Sequence, residues 1–426
     1  MYCVQSSLFV FIDVALMYST SLRAYCEMFR LLDLSAIPDR MKRLGRKGYS
    51  VHAMIRALIV KHREQIGSIQ RLIDHLDGNP VLAELCGFTP GVLPSASCFY
   101  RLLGRFKHSF LEHTLYAINN ELIEKGAITL DTFIMDSKPV LAATADNNIK
   151  NPDRNLTNKE KKPKRNPAAT LCYLAPAPDG STEFFWGYRT HVITSKEGIP
   201  LVEVTLPNNR TDADVACTLI RKLKRIYKFT KGALFIGDAA YDVNELYELI
   251  IDQFKCHAAI ALNPRAAKDP HTLGDHGRPI CDAGLEMASD GQWVDKRRKA
   301  LKRKFICPLK ASKTMARSYP GGCPINCPKF SGYGCTKYIQ TSYSARASVQ
   351  RDTERYKKTY AQRITVEQYF SRLGTVEAYQ TTHYQLNTIK NEVSIAHLTQ
   401  SLIARAAVSL NHTDRIRCYR SFYRTV

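Results

Sequence analysis

Acidic residues are in short supply. The 426 residues include 39 Asp and Glu against 61 Lys and Arg, a formal net charge of +22. Such a surface exchanges counterions with phosphates, although ribosome- and membrane-associated proteins share the property. Long hydrophobic runs are also missing. The most apolar stretch near the start, Ser7 to Tyr18, carries Asp13, has no Lys or Arg before it, is too short to span a bilayer and lacks a small-residue cleavage pattern. It reads as helix core or as an N-terminal extension, and no other segment approaches membrane length. The expected partner is therefore not a membrane, and the expected location is the cytoplasm, in association with the nucleoid. There is no internal repeat and no compositional bias of the disordered or collagen-like kind. Cysteine is not scarce, but thirteen in a cytoplasmic chain are not a disulfide framework.

The chain is too long for one ordinary core, and its periodicity divides it. Up to Gly126 the pattern is helical. Ser50 is placed to cap a helix through His62, Ser68 opens Ile69–Leu76, Asp77-Gly-Asn-Pro80 breaks it, a short helix runs to Leu85, and Pro94-Ser-Ala-Ser97 caps another at Cys98–Leu103. Short helices with tight turns suit a DNA-binding helix-turn-helix unit as well as a plain bundle. From Ala127 strand-like runs follow at Ile128–Met135, Phe184–Ile193 and Ile199–Leu206. Then come a helix at Asp212–Tyr227, a strand at Ala233–Gly237, a helix at Asn244–Phe254 and a strand at His257–Leu262. That order describes a mixed α/β sheet. After Asn263-Pro264 the sheet signal stops for some eighty residues rich in Gly, Pro, Cys, Lys and Arg, which read as an insertion; helices return at Tyr356–Leu373 and Val393–Leu410. The expected division is a helical N-terminal DNA-binding domain over 1–126, a catalytic α/β domain formed by 127–263 and 346–426, and a Cys-rich insertion over 264–345.

Three acids stand where a metal-dependent enzyme would need them. Asp136 in Thr132-Phe-Ile-Met-Asp-Ser-Lys138 and Asp238 in Ala233-Leu-Phe-Ile-Gly-Asp238 end apolar strand runs; Glu367 in Arg363-Ile-Thr-Val-Glu367 lies on an amphipathic helix. A carboxylate at a strand end is held rigidly at the sheet rim, where it can coordinate a hard divalent cation. Alone, each Asp reads equally as a turn cap. On the third segment Tyr360, Arg363, Glu367 and Gly374 are spaced 3, 4 and 7 apart, along one helical face. Arg363 is placed to contact a phosphate or orient the glutamate, or simply to form a surface ion pair with it. Asp131, Asp212, Asp214, Asp242 and Glu377 lie near these positions. Asp131 falls on the opposite strand face from Asp136, and Asp242 reads as a helix cap.

In this order the motifs resemble bacterial insertion-sequence transposases of the DDE type, over nearly the whole chain. Gly45-Arg-Lys-Gly-Tyr-Ser50, Cys86-Gly-Phe88 and Pro94-Ser-Ala-Ser-Cys-Phe-Tyr-Arg101 are similar to the family's helical N-terminal region. Met135-Asp-Ser137 matches the first acidic motif, and Gly187-Tyr-Arg-Thr-His191, Gly198-Ile-Pro-Leu201 and Asn208-Asn-Arg-Thr-Asp212 resemble the strands and turn after it. Gly237-Asp-Ala-Ala-Tyr-Asp242 matches the second motif, and Tyr360-Ala-Gln-Arg-Ile-Thr-Val-Glu367 the third, a Tyr-Arg-Glu-Lys signature. The Lys of that signature falls at Gly374, so its phosphate contact is absent or supplied by Arg372. The resemblance implies an RNase H-like mixed sheet flanked by helices, in which Asp136, Asp238 and Glu367 converge on two Mg²⁺ (or Mn²⁺) ions. Asp136 with Glu367 would hold one ion and Asp136 with Asp238 the other. It implies cleavage of transposon ends at terminal inverted repeats and strand transfer into target DNA by a homo-oligomer. A catalytically inactive, domesticated or decayed DNA-binding protein and an RNase H-like nuclease are the competing readings.

Two further groups complete the reading. The basic run Lys150–Arg165, with Lys161, Lys162, Lys164 and Arg165, is either a solvated loop or a clamp on phosphates. In the insertion, Cys323-Pro-Ile-Asn-Cys327 has zinc-knuckle spacing, and Cys307 and Cys335 would complete four ligands of a structural Zn²⁺; reduced, unligated thiols are the alternative. Trp293 and the basic residues from Lys296 to Lys304 read as a DNA grip or a solvated face.

Overall fold

Serine hydroxyls start the first helices. In the computed structural model, which describes residues 16, 19–40, 48–148, 163, 165–173, 184–263, 273–295, 300–342, 345–374 and 379–418, Ser19 caps α1 (Thr20–Leu31), Ser50 caps α2 (Val51–Arg63) and Ser68 caps α3 (Ile69–Asp77). Each hydroxyl accepts a first-turn amide, which satisfies a donor that has no partner within the helix and is worth about 1 kcal/mol. Pro80 then opens α4 (Pro80–Cys86), where its missing N–H matters least, and Gly87 closes it in the left-handed region at φ 100°. Two more helices follow, α5 (Ala96–Arg105) and α6 (His108–Glu124).

The central sheet is built on β1 (Thr132–Leu141). One edge of β1 pairs antiparallel with β3 (Phe184–Ser195). The far edge of β3 is shared by β2 (Thr170–Tyr173) at its start and β4 (Pro200–Pro207) along the rest, both antiparallel. The other edge of β1 pairs parallel with β5 (Leu234–Gly237), which pairs parallel with β6 (His257–Ile260). Three antiparallel strands followed by two parallel ones form the expected RNase H-like mixed sheet. Parallel neighbours need crossovers. α7 (Asp212–Tyr227) supplies one, and α8 (Asn244–Tyr247), continued by a π-helical turn at Glu248–Gln253, supplies the other.

Strand alternation gives the sheet two buried faces. Phe133, Met135, Ile193 and Phe235 face α7 and the N-terminal helices, in one core that runs continuously from Ala24 to Val408. Ile134, Val192, Ile236 and Ala259 face the other way. The helix covering that second face comes late in the chain. After α11 (Ala345–Ser348), α12 (Glu354–Tyr360) passes through a 3₁₀ turn at Ala361–Arg363 into α13 (Ile364–Leu373). Val366, Tyr369, Phe370 and Leu373 of α13 are buried on the sheet, each worth roughly 2 kcal/mol. The 3₁₀ turn corrects the expectation of one continuous helix from Tyr356 to Leu373: Tyr360 and Glu367 belong to different helices. A short β10 (Tyr379–Gln380) adds to the end of β1, and α14 (Leu386–Ser409), buried along nearly its whole length, packs on α1, α2, α5, α6 and β4. Lys61 Nζ of α2 bonds Glu392 Oε1 of α14 at 2.7 Å in the interior. Among the described residues no helix is long and apolar enough to cross a membrane.

The insertion is more ordered than its composition suggests. β7 (Ala288–Asp295), β8 (Ala300–Ile306) and β9 (Thr336–Ser342) form an antiparallel sheet, with α9 (Pro308–Ala311) and α10 (Lys313–Ser318) between the last two. It has its own small core of Cys281, Met287, Phe305 and Ile339.

Candidate active site

β1 and β5 run parallel, with Thr132 beside Leu234 and Ile134 beside Ile236. Two residues further along the same register, Asp136 stands beside Asp238, and both fall on the face shared by Ile134 and Ile236. Gly237 lets the chain close up here: a Cβ on it would lie 3.1 Å from the Tyr241 ring and 3.2 Å from Met135 Cε. α13 covers this face, and Glu367, next to buried Val366, emerges half-exposed at its rim. Two polar ties fix that helix. Lys138 Nζ, buried on the same face of β1, donates to the Phe370 carbonyl at 2.8 Å. Tyr369 Oη meets His397 Nδ1, whose Nε2 lies 3.0 Å from Thr190 Oγ1.

One guanidinium links the acids. Arg363 Nη2 donates to Glu367 Oε1, and its Nη1 is 3.8 Å from Asp136 Oδ2. Asp136 otherwise accepts the Ser137 amide at 2.8 Å, and Asp238 accepts the Ala240 amide at 2.8 Å. Burial pushes the Asp136 carboxyl up to about 7, with the neighbouring Asp238 adding to the rise; the Ser137 amide and Arg363 offset it only in part. Burial raises Asp238 as well. The charges of these two carboxyls are thus under-compensated by the protein, which is what a site for an external cation requires. With Glu367 turned onto Arg363, the three do not form a closed ligand set. Among the described residues, no three His, Cys, Asp or Glu side chains stand together as a group able to hold a metal ion.

Comparison with known families decides the class. A model of the transposase DDE domain matches residues 129–400, almost two thirds of the chain. The chain belongs to the DDE transposases. A second model, a transposase domain of the DUF772 type, matches residues 19–105 of the transposase. Among solved structures, a piggyBac transposase synaptic complex with hairpin DNA, determined by cryo-EM, aligns over 94% of this chain and 76% of that chain, with 10% identity and a TM-score of 0.41. No curated protein matches.

The other expected site residues of the transposase are scattered. Tyr360 stacks on Tyr356 at 5.7 Å and feels the charges of Arg363, Asp238 and Glu367, so it borders the site. The Arg372 guanidinium instead reaches the Gly198 carbonyl at 3.3 Å, in the turn between β3 and β4 beyond the start of β1. Lys161, Lys162, Lys164 and Glu377 lie outside the described residues, whereas Arg165 sits 5.8 Å over the Tyr384 ring. Asp131 is exposed and paired with Lys196 at 2.5 Å.

Asp242 is corrected from helix cap to buried anchor. Its carboxylate accepts from Arg346 at 2.8 and 2.6 Å, Tyr247 Oη at 2.8 Å and the Asn263 amide at 2.8 Å. Asp212, weighed only as a bystander, reaches Ser137 Oγ at 3.1 Å beside the first aspartate. Among the described residues, the four cysteines expected to bind zinc are not gathered as one metal-holding group. Cys335 meets Cys307, and the Cys281 and Cys327 thiols also act on it. Burial and those thiols push Cys335 up to about 12.

Proposed function

We propose that this transposase uses Asp136, Asp238 and Glu367 to hold the divalent ions with which it cleaves the ends of its own element and transfers them to target DNA. DDE transposases generally use divalent metal ions, and an all-oxygen donor set suits Mg²⁺ or Mn²⁺. Two such ions, when bound, supply Lewis-acid stabilisation of the phosphoryl group and lower the pKa of the attacking water or 3′-hydroxyl. The protein's own part is positional. The sheet holds Asp136 and Asp238 side by side, and Lys138 and His397 tie down α13, the helix that carries Glu367. Arg363 is the guanidinium that a bound cation would release, free then to take a DNA phosphate. Tyr360, Arg165, Lys161, Lys162 and Lys164 are further DNA contacts in this reading, with residues 1–126 as the DNA-binding domain. Cutting and joining two ends together calls for a homo-oligomer on DNA.

The observation that carries the reading is the pair of under-compensated aspartates on neighbouring parallel strands beneath the helix of Glu367. Purified protein with Mg²⁺ or Mn²⁺ should cleave DNA bearing its element's terminal inverted repeats. Asp136→Asn, Asp238→Asn and Glu367→Gln should each lower cleavage by about 10³-fold, on the order of 4 kcal/mol of barrier, with DNA binding retained. Normal cleavage by Glu367→Gln would remove the third ligand from this scheme.

A further inference from the structure

Asp212 is the first residue of α7, behind the Thr211 cap, and its side chain turns back onto the sheet. There Ser137 stands between two acids: its amide donates to Asp136 Oδ1 at 2.8 Å and its hydroxyl to Asp212 Oδ1 at 3.1 Å. Arg189, from β3, donates through Nη1 to the same hydroxyl at 2.9 Å and through Nε to Asn208 at 2.8 Å, with Nη1 3.9 Å from Asp212 Oδ2. His191, the cross-strand neighbour of Ser137, points buried Nδ1 at Asp212 Oδ1 from 3.4 Å, without a hydrogen-bond partner of its own. Burial holds His191 down at about 3, so it is neutral and leaves Arg189 as the cation facing Asp212.

We propose that Asp212 is a positioning residue of the metal site: it pairs with Arg189 so that this guanidinium does not neutralise Asp136 and Asp238, and through Ser137 it fixes β1 next to Asp136. The inference rests on the metal-site reading of those two aspartates. Its physical core is charge balance. Arg189 and Asp212 act on Asp238 in opposite directions, so each offsets the other's effect on the pocket. Removing Asp212's charge alone leaves Arg189 competing with an incoming cation.

The test is Mn²⁺ binding to the full chain without DNA, followed by calorimetry, alongside cleavage titrated with Mg²⁺. Asp212→Asn keeps an acceptor for Ser137 but loses the charge. It should weaken Mn²⁺ binding roughly 5- to 10-fold and shift the Mg²⁺ midpoint for cleavage by the same factor, with the rate recovered at high Mg²⁺. Asp212→Glu should stay within about two-fold of wild type, and adding Arg189→Gln to Asp212→Asn should restore most of the Mn²⁺ affinity. Unchanged Mn²⁺ affinity in Asp212→Asn, or a lost rate that high Mg²⁺ does not recover, would overturn the inference. Asp136→Asn separates the two levels: if it alone abolishes binding while Asp212→Asn does not change it, the metal site stands and the role of Asp212 falls. If Asp136→Asn binds Mn²⁺ normally, the metal-site reading falls and this inference with it.

Discussion

Asp136 on β1 keeps 17% of its side chain exposed, Asp242 beyond β5 is fully enclosed, and the two are treated in opposite ways. Asp242 receives two bonds from Arg346, a contact from Arg351 at 3.4 Å, the Tyr247 hydroxyl and the Asn263 amide, and its carboxyl is held below the usual range against the effect of burial. Asp136 has one amide and a guanidinium at 3.8 Å, and burial wins. Depth does not distinguish a structural carboxylate from a functional one; the supply of partners does. The partners of Asp242 also say what it is for. Asn263 and Arg346 lie on either side of the segment expected as an insertion, and a single carboxylate binds both.

The comparison breaks most visibly in stability. Asp242→Asn preserves shape but leaves Arg346 and Arg351 facing a neutral amide, and should cost about 3 kcal/mol in urea unfolding. Asp136→Asn, which removes an under-compensated charge, should be no less stable than wild type. If both variants lost the same stability, the contrast drawn from their partners would be wrong.

The unequal legibility of these sites in sequence has a physical reason. Local signals were sufficient where local forces rule: the serine caps, the Asn79-Pro80 break and helix Asp212–Tyr227 lie where pattern puts them. β1 was expected to end at Met135 because its apolar run stops there. It continues to Leu141 because buried Lys138 finds a carbonyl on α13, 232 residues further along the chain. The insertion's sheet was missed because β8 is disguised by charge. Leu301 and Phe305 point inward, and Arg303 between them pairs with Asp352 at 3.0 Å, which hides the alternation. Of the candidate-site aspartates, Asp238 is legible as a strand ending and Asp136 as the end of an apolar run within a longer strand. The roles of Asp212 and Asp242 were not, since their deciding partners Ser137 and Arg346 are 75 and 104 residues distant.

Titration sharpens the same contrast. The carboxyl of Asp136 lies near 7 in the fold, above its unfolded value, so its contribution is fully favourable below pH 4 and is lost as pH rises towards 7. Asp242 is held low, so its contribution is present above pH 4 and is lost only as pH falls through its depressed value. In EDTA, stability between pH 5 and 7 should therefore fall more steeply in wild type than in Asp136→Asn, by up to about 1.4 kcal/mol per pH unit. His108, which burial lowers but its contacts with Glu112 and Glu203 raise on balance, is shifted alike in both proteins and cancels in the difference. Parallel pH profiles for the two proteins would show that Asp136 is compensated after all.

The smallest stability effect should accompany a clear functional one. Lys138 is buried beside Asp136, and burial lowers it to about 8; its bond to the Phe370 carbonyl joins β1 to the helix of Glu367. Lys138→Met keeps the length and the packing under the Phe370 ring, which lies 6.0 Å from Nζ. It gives up one hydrogen bond but also the burial of an amine, so unfolding should change by no more than about 1 kcal/mol. The aim of α13 would still be loosened, and small misplacements of a reacting constellation are costly, so cleavage at saturating Mg²⁺ should fall about 10-fold. A variant equally stable and equally active would mean that apolar packing of Val366, Tyr369, Phe370 and Leu373 alone aims Glu367. A variant equally stable but slow would place Lys138 between the two regions compared here: a buried amine whose charge burial disfavours, as at Asp136, but whose bond to the Phe370 carbonyl serves the geometry of the site.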